Sequence, residues 1–202
     1  MINMVVVDVE TSGLSPYKHS ILSIGAVDFA NPTNQFYGEC QIFPGSEVDF
    51  GALKVNGFKQ SELNDPLKQS LGELVYNYIG WLGKLEDITI AGQNPTFDRD
   101  FLQQSARKCK ISYEFGKRTV DLHALAFAKR LELGFPPILK NNSTNLYSDV
   151  IMNFVGLPAE PRPHIGINGA RYELEAFYRL IYGKNALEEF TQYKVPEYLL
   201  KA

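Results

Sequence analysis

The sequence MVVVDVETSG at residues 4–13 decides the fold, because a run rich in β-branched residues carries two carboxylates and then stops at a turn. The hydrophobic run predicts a buried central strand. Side chains alternate along a strand, so Asp8 and Glu10 point to the same face. Burying two like charges this close is costly unless a cation neutralises them, and all-oxygen ligands suit Mg²⁺ or Mn²⁺. The alternative is a strand end at which both acids reach water.

The composition is that of one soluble globular domain. The 202 residues are 45% hydrophobic and 21% charged, with a net charge of −3. This balance excludes a pervasively basic surface that holds duplex nucleic acid by charge alone, although bound metal can supply positive charge locally. Cys40 and Cys109 show no metal-ligand spacing, and neither a signal segment nor a membrane-spanning apolar run is visible. We therefore expect a cytoplasmic protein with no membrane contact.

The hydrophobic periodicity predicts an α/β domain with a mixed sheet. Three early strands joined by short turns indicate an antiparallel meander, and a helix leading to a fourth strand indicates a parallel crossover. We expect a domain over residues 1–184 and a helical or irregular tail of the same domain over 185–202. After the first strand, the predicted strands are 20–29, 35–43 and 87–91, with short extended or connecting pieces at 111–115 and 119–122. The predicted helices are 50–55, 66–85, 96–108, 123–133, 144–155 and 168–182.

A second acidic segment, GQNPTFDRDFL, occupies residues 92–102. Thr96 is the predicted N-cap of a helix. Asp98 then lies in the first turn beside the apolar stripe, whereas Asp100 lies about 200° further round and faces solvent. Both acids could simply complement the helix dipole. That interpretation is favoured for Asp100, and for Asp98 it stays open beside a role in a metal site.

Together these segments resemble the DEDDh exonucleases, a group of RNase H-like, metal-dependent 3′–5′ exonucleases that includes small bacterial exoribonucleases and polymerase proofreading exonucleases. The first motif matches DVETSG at residues 8–13, and the second matches GQNPTFD at 92–98. The third matches His164 and the sequence ARYE at 170–173. Asp121 and the stretch 146–164 also fit the pattern, so that the resemblance covers about residues 3–182.

This resemblance implies an RNase H-like mixed sheet of about five strands flanked by helices. It implies hydrolysis of single-stranded RNA or DNA to nucleoside 5′-monophosphates with two Mg²⁺ or Mn²⁺ ions. Asp8, Glu10 and Asp98 would be the metal ligands and catalytic acids. His164, on a mobile loop, would be the general base.

The resemblance also implies contacts to the 3′ end of the substrate. Val9, Thr11, Leu14 and Asn94 would bind the terminal nucleotide. Phe58 could stack on a base, although a buried phenylalanine is the simpler interpretation. RNA is slightly favoured over DNA, because the single-domain form and the ARYE context look more like the small exoribonucleases. Many relatives are homodimers, and no feature of this sequence requires one.

The chain departs from the pattern at Gly169, where the resemblance places a fourth acid. Asn168 is neutral and points about 100° away on a helix, whereas Glu173 lies one turn further along nearly the same face. Glu173 would reach the site only if the helix start or the metal shifted. The alternatives are deliberate inactivation, whether natural or engineered, a site that works with three acids and water, and a non-catalytic nucleic-acid or nucleotide binding protein. An accessory subunit that uses the fold for protein contacts is a further alternative.

Overall fold

The computed structural model describes residues 3–200 and contains a mixed five-stranded sheet. The strands β1 (Val5–Thr11), β2 (Ile21–Asp28) and β3 (Gln35–Glu39) form an antiparallel meander. The strands β4 (Ile90–Gly92) and β5 (Thr119–Asp121) extend it in parallel, so that the order is β3-β2-β1-β4-β5. The predicted mixed sheet, with the first strand at its centre, is confirmed.

Six helices cover the two faces of this sheet. They are α1 (Phe50–Asn56), α2 (Leu71–Leu82), α3 (Pro95–Lys108), α4 (Leu122–Glu132), α5 (Ser148–Phe154) and α6 (Gly166–Tyr182). The alternation of β1 decides which helices meet which side chains. Val5, Val7 and Val9 pack with α2 and α3, whereas Met4 and Val6 pack with α4, α5 and α6. Asp8 and Glu10 follow the second set, so they face α6.

Several predicted boundaries are wrong. The helix expected over 66–85 begins at Leu71, because Ser70 accepts a hydrogen bond from the Glu73 N–H at 3.2 Å while the Glu73 carboxylate accepts one from the Ser70 N–H at 2.8 Å. This reciprocal capping box was readable from the sequence and was missed. The helix α3 begins at Pro95, with Asn94 rather than Thr96 as its N-cap residue.

The remaining corrections concern short or irregular segments. The predicted strand 35–43 ends at Glu39, and the strand 87–91 is observed at Ile90–Gly92; residues 111–115 are a connecting piece and 119–121 form β5, within the predictions for these segments. The helix expected over 144–155 is Ser148–Phe154, since residues 139–144 form a small hairpin of β6 (Leu139–Lys140) and β7 (Ser143–Thr144) that was not predicted. The last helix begins at Gly166, two residues earlier than predicted.

The described part of the tail, residues 185–200, contains two short 3₁₀ turns at Glu188–Phe190 and Glu197–Leu199. Its apolar side chains pack into the core beside α6, as do those of α4 and α5. Within residues 3–200, no helix has the length and apolar character needed to cross a membrane.

Candidate active site

The carboxylates of β1 lie where α6 approaches the sheet most closely. A Cβ on Gly25 of β2 would lie 2.1 Å from the Gly166 carbonyl carbon, and a Cβ on Gly166 would lie 2.7 Å from the Asp8 carbonyl oxygen. Only glycines at both positions allow this backbone contact. The first turn of α6 is therefore held directly over Asp8, which is partly exposed, and near Glu10, which is buried.

Asp98 joins these acids from the first turn of α3. Its side chain is 4% exposed, and its Oδ1 accepts a hydrogen bond from the Val9 N–H at 3.0 Å. Asp100 is more exposed and pairs with Arg99 at 2.9 Å. The prediction that Asp98 faces the sheet and Asp100 faces outward is confirmed, so residues 90 positions apart in sequence meet at one end of β1.

Gly169 lies against Asp8. A Cβ at position 169 would lie 2.1 Å from Asp8 Oδ2 and 2.8 Å from Asp8 Cγ. The Asp8 carboxylate thus occupies the space into which a side chain at 169 would extend. An acid at this position requires Asp8 to turn away first.

Glu173 reaches the acids without a shift of its own. It is 7% exposed, and its Oε2 accepts a hydrogen bond from the Gln93 N–H at 3.1 Å. Burial, followed by the charges of Asp8 and Asp98, raises its pKa well above the usual range. The sequence allowed Glu173 to approach the acids only if the helix start or the metal shifted, and the first condition is met, since α6 begins two residues before its predicted start.

A fifth carboxylate comes from the proline-rich loop before α6. Glu160 has a 9% exposed side chain, and its Oε2 lies 3.8 Å from His164 Nδ1. The backbone N–H of His164 donates a hydrogen bond to the Val55 carbonyl at 3.1 Å, which connects the loop to α1. Sequence reasoning missed Glu160; the only signal was an acid four residues before the histidine in a stiff loop.

The electrostatics of this group are those of unpaired acids. Burial raises the pKa of Asp8 to about 7. Burial, then the neighbouring Asp8 and Glu160, raises the pKa of Glu10 to about 8. The pKa of Asp98 is raised in the same direction by burial and by Asp8. Within residues 3–200 no lysine or arginine pairs with these carboxylates, so burial and mutual repulsion raise their pKa values with no opposing cation.

The contact between Glu160 and His164 is affected by the same burial. Burial and the charge of Asp8 raise the pKa of Glu160 to about 8. Burial and the nearby Arg162 lower the pKa of His164. At neutral pH the pair is therefore mainly a contact between a neutral imidazole and a protonated carboxyl group rather than an ion pair. A neutral imidazole is the form that accepts a proton.

The residues predicted to bind the terminal nucleotide differ in how exposed they are and in whether their polar groups are already hydrogen-bonded. The Val9 N–H already donates to Asp98, and the Thr11 carbonyl accepts from Asn56 Nδ2 at 3.0 Å. Leu14 is 75% exposed beyond the end of β1. Asn94 is exposed at the start of α3, in the left-handed conformation with φ 57°. The Leu14 side chain is open to a ligand, whereas Asn94 Oδ1 accepts a hydrogen bond from Thr96 Oγ1 at 3.2 Å and the backbone near Val9 and Thr11 is partly used.

A pocket of about 180 Å³ lies beside His164. Phe58 lines it, is partly buried and packs against the buried Leu22, Leu53 and Leu63, whereas stacking of this ring on a base stays a prediction. Asn56, which was not singled out from the sequence, lines the pocket and hydrogen-bonds the Glu10 carboxylate. The full lining is Tyr37, Glu39, Asn56, Gly57, Phe58, Glu62, Pro163, His164 and Ile165.

The acids suit a divalent cation by their chemistry rather than by a preformed arrangement. Among residues 3–200, no three histidine, cysteine or acidic side chains already form a metal-binding group. The donor set consists of carboxylate oxygens, which hard cations such as Mg²⁺ prefer. Glu160 Oε1 is buried and has no hydrogen-bond partner in the described chain. The side chains therefore fit such an ion once they turn toward it.

Two named proteins are similar to this chain in sequence. The 3′–5′ DNA exonuclease Cap18 of Escherichia coli is 29% identical over 185 residues, which are 87% of this chain and 89% of that protein. A PolC-type DNA polymerase III of Thermotoga maritima is 29% identical over 177 residues, which are 88% of this chain and only 12% of the polymerase. No family model matches the chain.

Two solved structures have the same fold as this chain. The nuclease domain of 3′hExo, a DEDDh family member bound to rAMP, superimposes with a TM-score of 0.68 at 12% identity over 96% of both chains. The chain has the RNase H-like fold of the DEDDh exonucleases. Escherichia coli Exonuclease I in complex with a dA16 oligonucleotide gives a TM-score of 0.65 at 12% identity, over 90% of this chain and 41% of that one. The resemblance and the fold class predicted from the sequence are confirmed.

Proposed function

We propose that the protein is a divalent-metal-dependent 3′–5′ exonuclease that shortens single-stranded nucleic acid and releases nucleoside 5′-monophosphates. The observation that carries this proposal is the group of carboxylates at the end of β1, of which Glu10 and Asp98 are buried. Asp8, Glu10 and Asp98 come from two distant segments, carry no cation partner in the described chain and lie near Glu160, on the loop that also carries His164. Hydrolysis of a phosphodiester by two metal ions needs several carboxylates at one place to hold the ions.

Each residue then has a defined role. Asp8, Glu10 and Asp98 would hold two Mg²⁺ or Mn²⁺ ions, which supply charge stabilisation for the scissile phosphate when bound. His164 accepts the proton of the attacking water, which its lowered pKa favours because the imidazole is neutral at pH 7. Val9, Thr11, Leu14 and Asn94 contact the terminal nucleotide. Gly169 supplies no side-chain ligand, so we expect reduced activity relative to a site with an acid there.

The substrate and setting are proposals of the same kind. The sequence context slightly favours RNA, whereas the relative named Cap18 is a DNA exonuclease; we propose a single-stranded 3′ end of either type, with RNA first. We also propose an exonuclease domain over 1–184 with the tail 185–202 attached to it, and a cytoplasmic setting. A homodimer stays a prediction.

The test is an assay on matched RNA and DNA oligonucleotides labelled at the 5′ end. We expect a ladder of shortened products with Mg²⁺ or Mn²⁺ and none with EDTA, because a 5′ label follows removal from the 3′ end. The variant Gly169→Asp is compared in parallel, although it must displace Asp8. No shortening by either protein with either metal contradicts the proposal.

The second candidate is a protein that binds a nucleic-acid 3′ end or a nucleotide without cutting. Two observations favour it, namely the missing side chain at Gly169 and the absence, within residues 3–200, of a preformed metal-binding group. It predicts saturable oligonucleotide binding in fluorescence anisotropy with no product ladder, in the wild type and in Gly169→Asp alike.

A further inference from the structure

Glu160 has a buried side chain in which one carboxylate oxygen lacks a hydrogen-bond partner within residues 3–200. It is 9% exposed, and its Oε1 has no hydrogen-bond partner within residues 3–200. Its other interactions are the 3.8 Å contact of Oε2 with His164 and a hydrogen bond with the backbone N–H of Ile165. A buried polar atom without a partner costs free energy, so native proteins rarely keep one without a reason.

The Glu160 side chain lies near the acidic group. Its charge interacts with those of Asp8, Glu10 and Glu173, which come from β1 and from α6. Gly169 of α6 carries no side chain and packs against the same Asp8 carboxylate. The loop before α6 thus brings a carboxylate close to Asp8, where position 169 of the helix supplies none.

We infer that Glu160 is the fourth carboxylate of the site and donates Oε1 to a divalent cation in place of a residue at position 169. This inference rests on the proposed function and deepens it. It gives the buried Oε1 a partner, and it links cation binding to the loop that carries His164, four residues later.

Glu173 is the competing source of a fourth carboxylate. Its Oε2 already accepts a hydrogen bond from the Gln93 N–H at 3.1 Å, which anchors it to the start of α3. That bond occupies one oxygen of Glu173, whereas Glu160 Oε1 is a buried atom without a hydrogen-bond partner within residues 3–200. Glu160 is therefore the better donor.

The test measures Mn²⁺ affinity directly, by the loss of the free-ion signal in electron paramagnetic resonance, without any substrate. We expect Glu160→Gln to weaken binding by about tenfold or more. The matched control is Asp149→Asn, which removes one charge from an exposed residue that also acts electrostatically on Glu160 and His164. The control should retain nearly wild-type affinity, since Asp149 lies outside the acidic group.

Thermal melting in EDTA separates a ligand role from a structural one. Glu160→Gln keeps the shape of the side chain, so we expect its Tm in EDTA to equal or exceed that of the wild type, while the rise in Tm caused by Mn²⁺ becomes smaller. If Glu160→Gln melts lower in EDTA, Glu160→Asp replaces it, and a ligand role then predicts weakened but measurable Mn²⁺ binding. Wild-type Mn²⁺ affinity in both variants overturns the inference.

The outcomes separate this inference from the proposed function. A wild-type protein that binds Mn²⁺ and shortens strands, with Glu160→Gln equal to Asp149→Asn, overturns the role of Glu160 alone. Loss of Mn²⁺ binding in Glu173→Gln but not in Glu160→Gln does the same and assigns the role to Glu173. A wild-type protein that neither binds Mn²⁺ nor shortens a strand overturns both.

Discussion

Helix α6 contributes to two groups of buried charged residues, which differ in their charge and hydrogen-bond partners. Glu175 and Arg179 are fully buried, and Arg179 Nε donates to Glu175 Oε1 at 2.8 Å. Every polar atom of this pair has a partner. Glu173, two positions before Glu175, belongs instead to a group of acids that contains no cation among the described residues.

The Glu175–Arg179 pair holds the tail against the domain. Glu175 Oε2 accepts from the backbone N–H groups of Ala186 and Leu187 at 2.8 and 3.1 Å. The guanidinium group also donates to five further oxygens, those of Val155, Gly156, Asn185, Phe190 and Tyr193. Opposite charges and full hydrogen bonding make this a structural pair.

The acidic group has the opposite character. Its members repel one another, keep raised pKa values and leave Glu160 Oε1 unpartnered. Such an arrangement destabilises the fold by itself and persists where function requires it. The two groups thus differ in kind: the opposite charges of Glu175 and Arg179 stabilise the fold, whereas the acids near Glu173 have no cation partner among the described residues.

The largest expected effect is on the structural pair. Arg179→Met should lower the free energy of unfolding by about 3–5 kcal/mol, because Glu175 becomes a buried, unpaired charge. Urea denaturation measures this. Lys194→Met, which breaks the exposed pair with Glu197, should change it by less than about 1 kcal/mol. Similar values for both variants would contradict the structural role of Arg179.

The next effect is on activity and sharpens the acidic side of the comparison. Asp98→Asn should reduce the rate of strand shortening at least about 100-fold, because a metal-binding acid is lost. Asp100→Asn is the matched control, since Asp100 faces outward and pairs with Arg99. Its rate should stay close to that of the wild type. Equal losses in the two variants would remove Asp98 from the site.

A smaller effect follows from the close approach at Gly169. Gly169→Ala should lower the free energy of unfolding by about 1–3 kcal/mol, because the added Cβ meets the Asp8 carboxylate. Gly80→Ala is the control, since a Cβ on Gly80 of α2 meets nothing within 4 Å. Chemical denaturation compares the two. A Gly169→Ala protein as stable as the wild type would show that Asp8 turns away freely.

The last effect is the pH dependence of stability in EDTA. The folded pKa values of Asp8 and Glu10, about 7 and about 8, exceed their ordinary values of 3.8 and 4.5. The folded state therefore binds more protons than the unfolded state between about pH 4 and 8, and the free energy of unfolding falls as the pH rises. The Tm should fall from pH 5 to pH 8, less steeply in Asp8→Asn. An equal slope in that variant speaks against the raised pKa of Asp8.

The sequence predicted the central strand and the positions of its acids because strand alternation is a local property. The same holds for Asp98, which follows from helix geometry and the apolar stripe. The predicted start of α6, on which the position of Glu173 depends, was two residues too late. That start is set by glycine contacts with β2 that only the fold reveals. Glu160 could not be found, since the path of an irregular loop sets its direction, and no periodicity describes such a path.

A calorimetric titration of Mn²⁺ into the wild type and into Asp8→Asn at neutral pH tests directly whether the acidic group binds a divalent cation. We expect saturable binding to the wild type with release of protons from the acids, and loss of that binding in Asp8→Asn. Absence of saturable binding to the wild type, or equal binding to both proteins, would contradict the claim that the acidic group on β1 is a cation site.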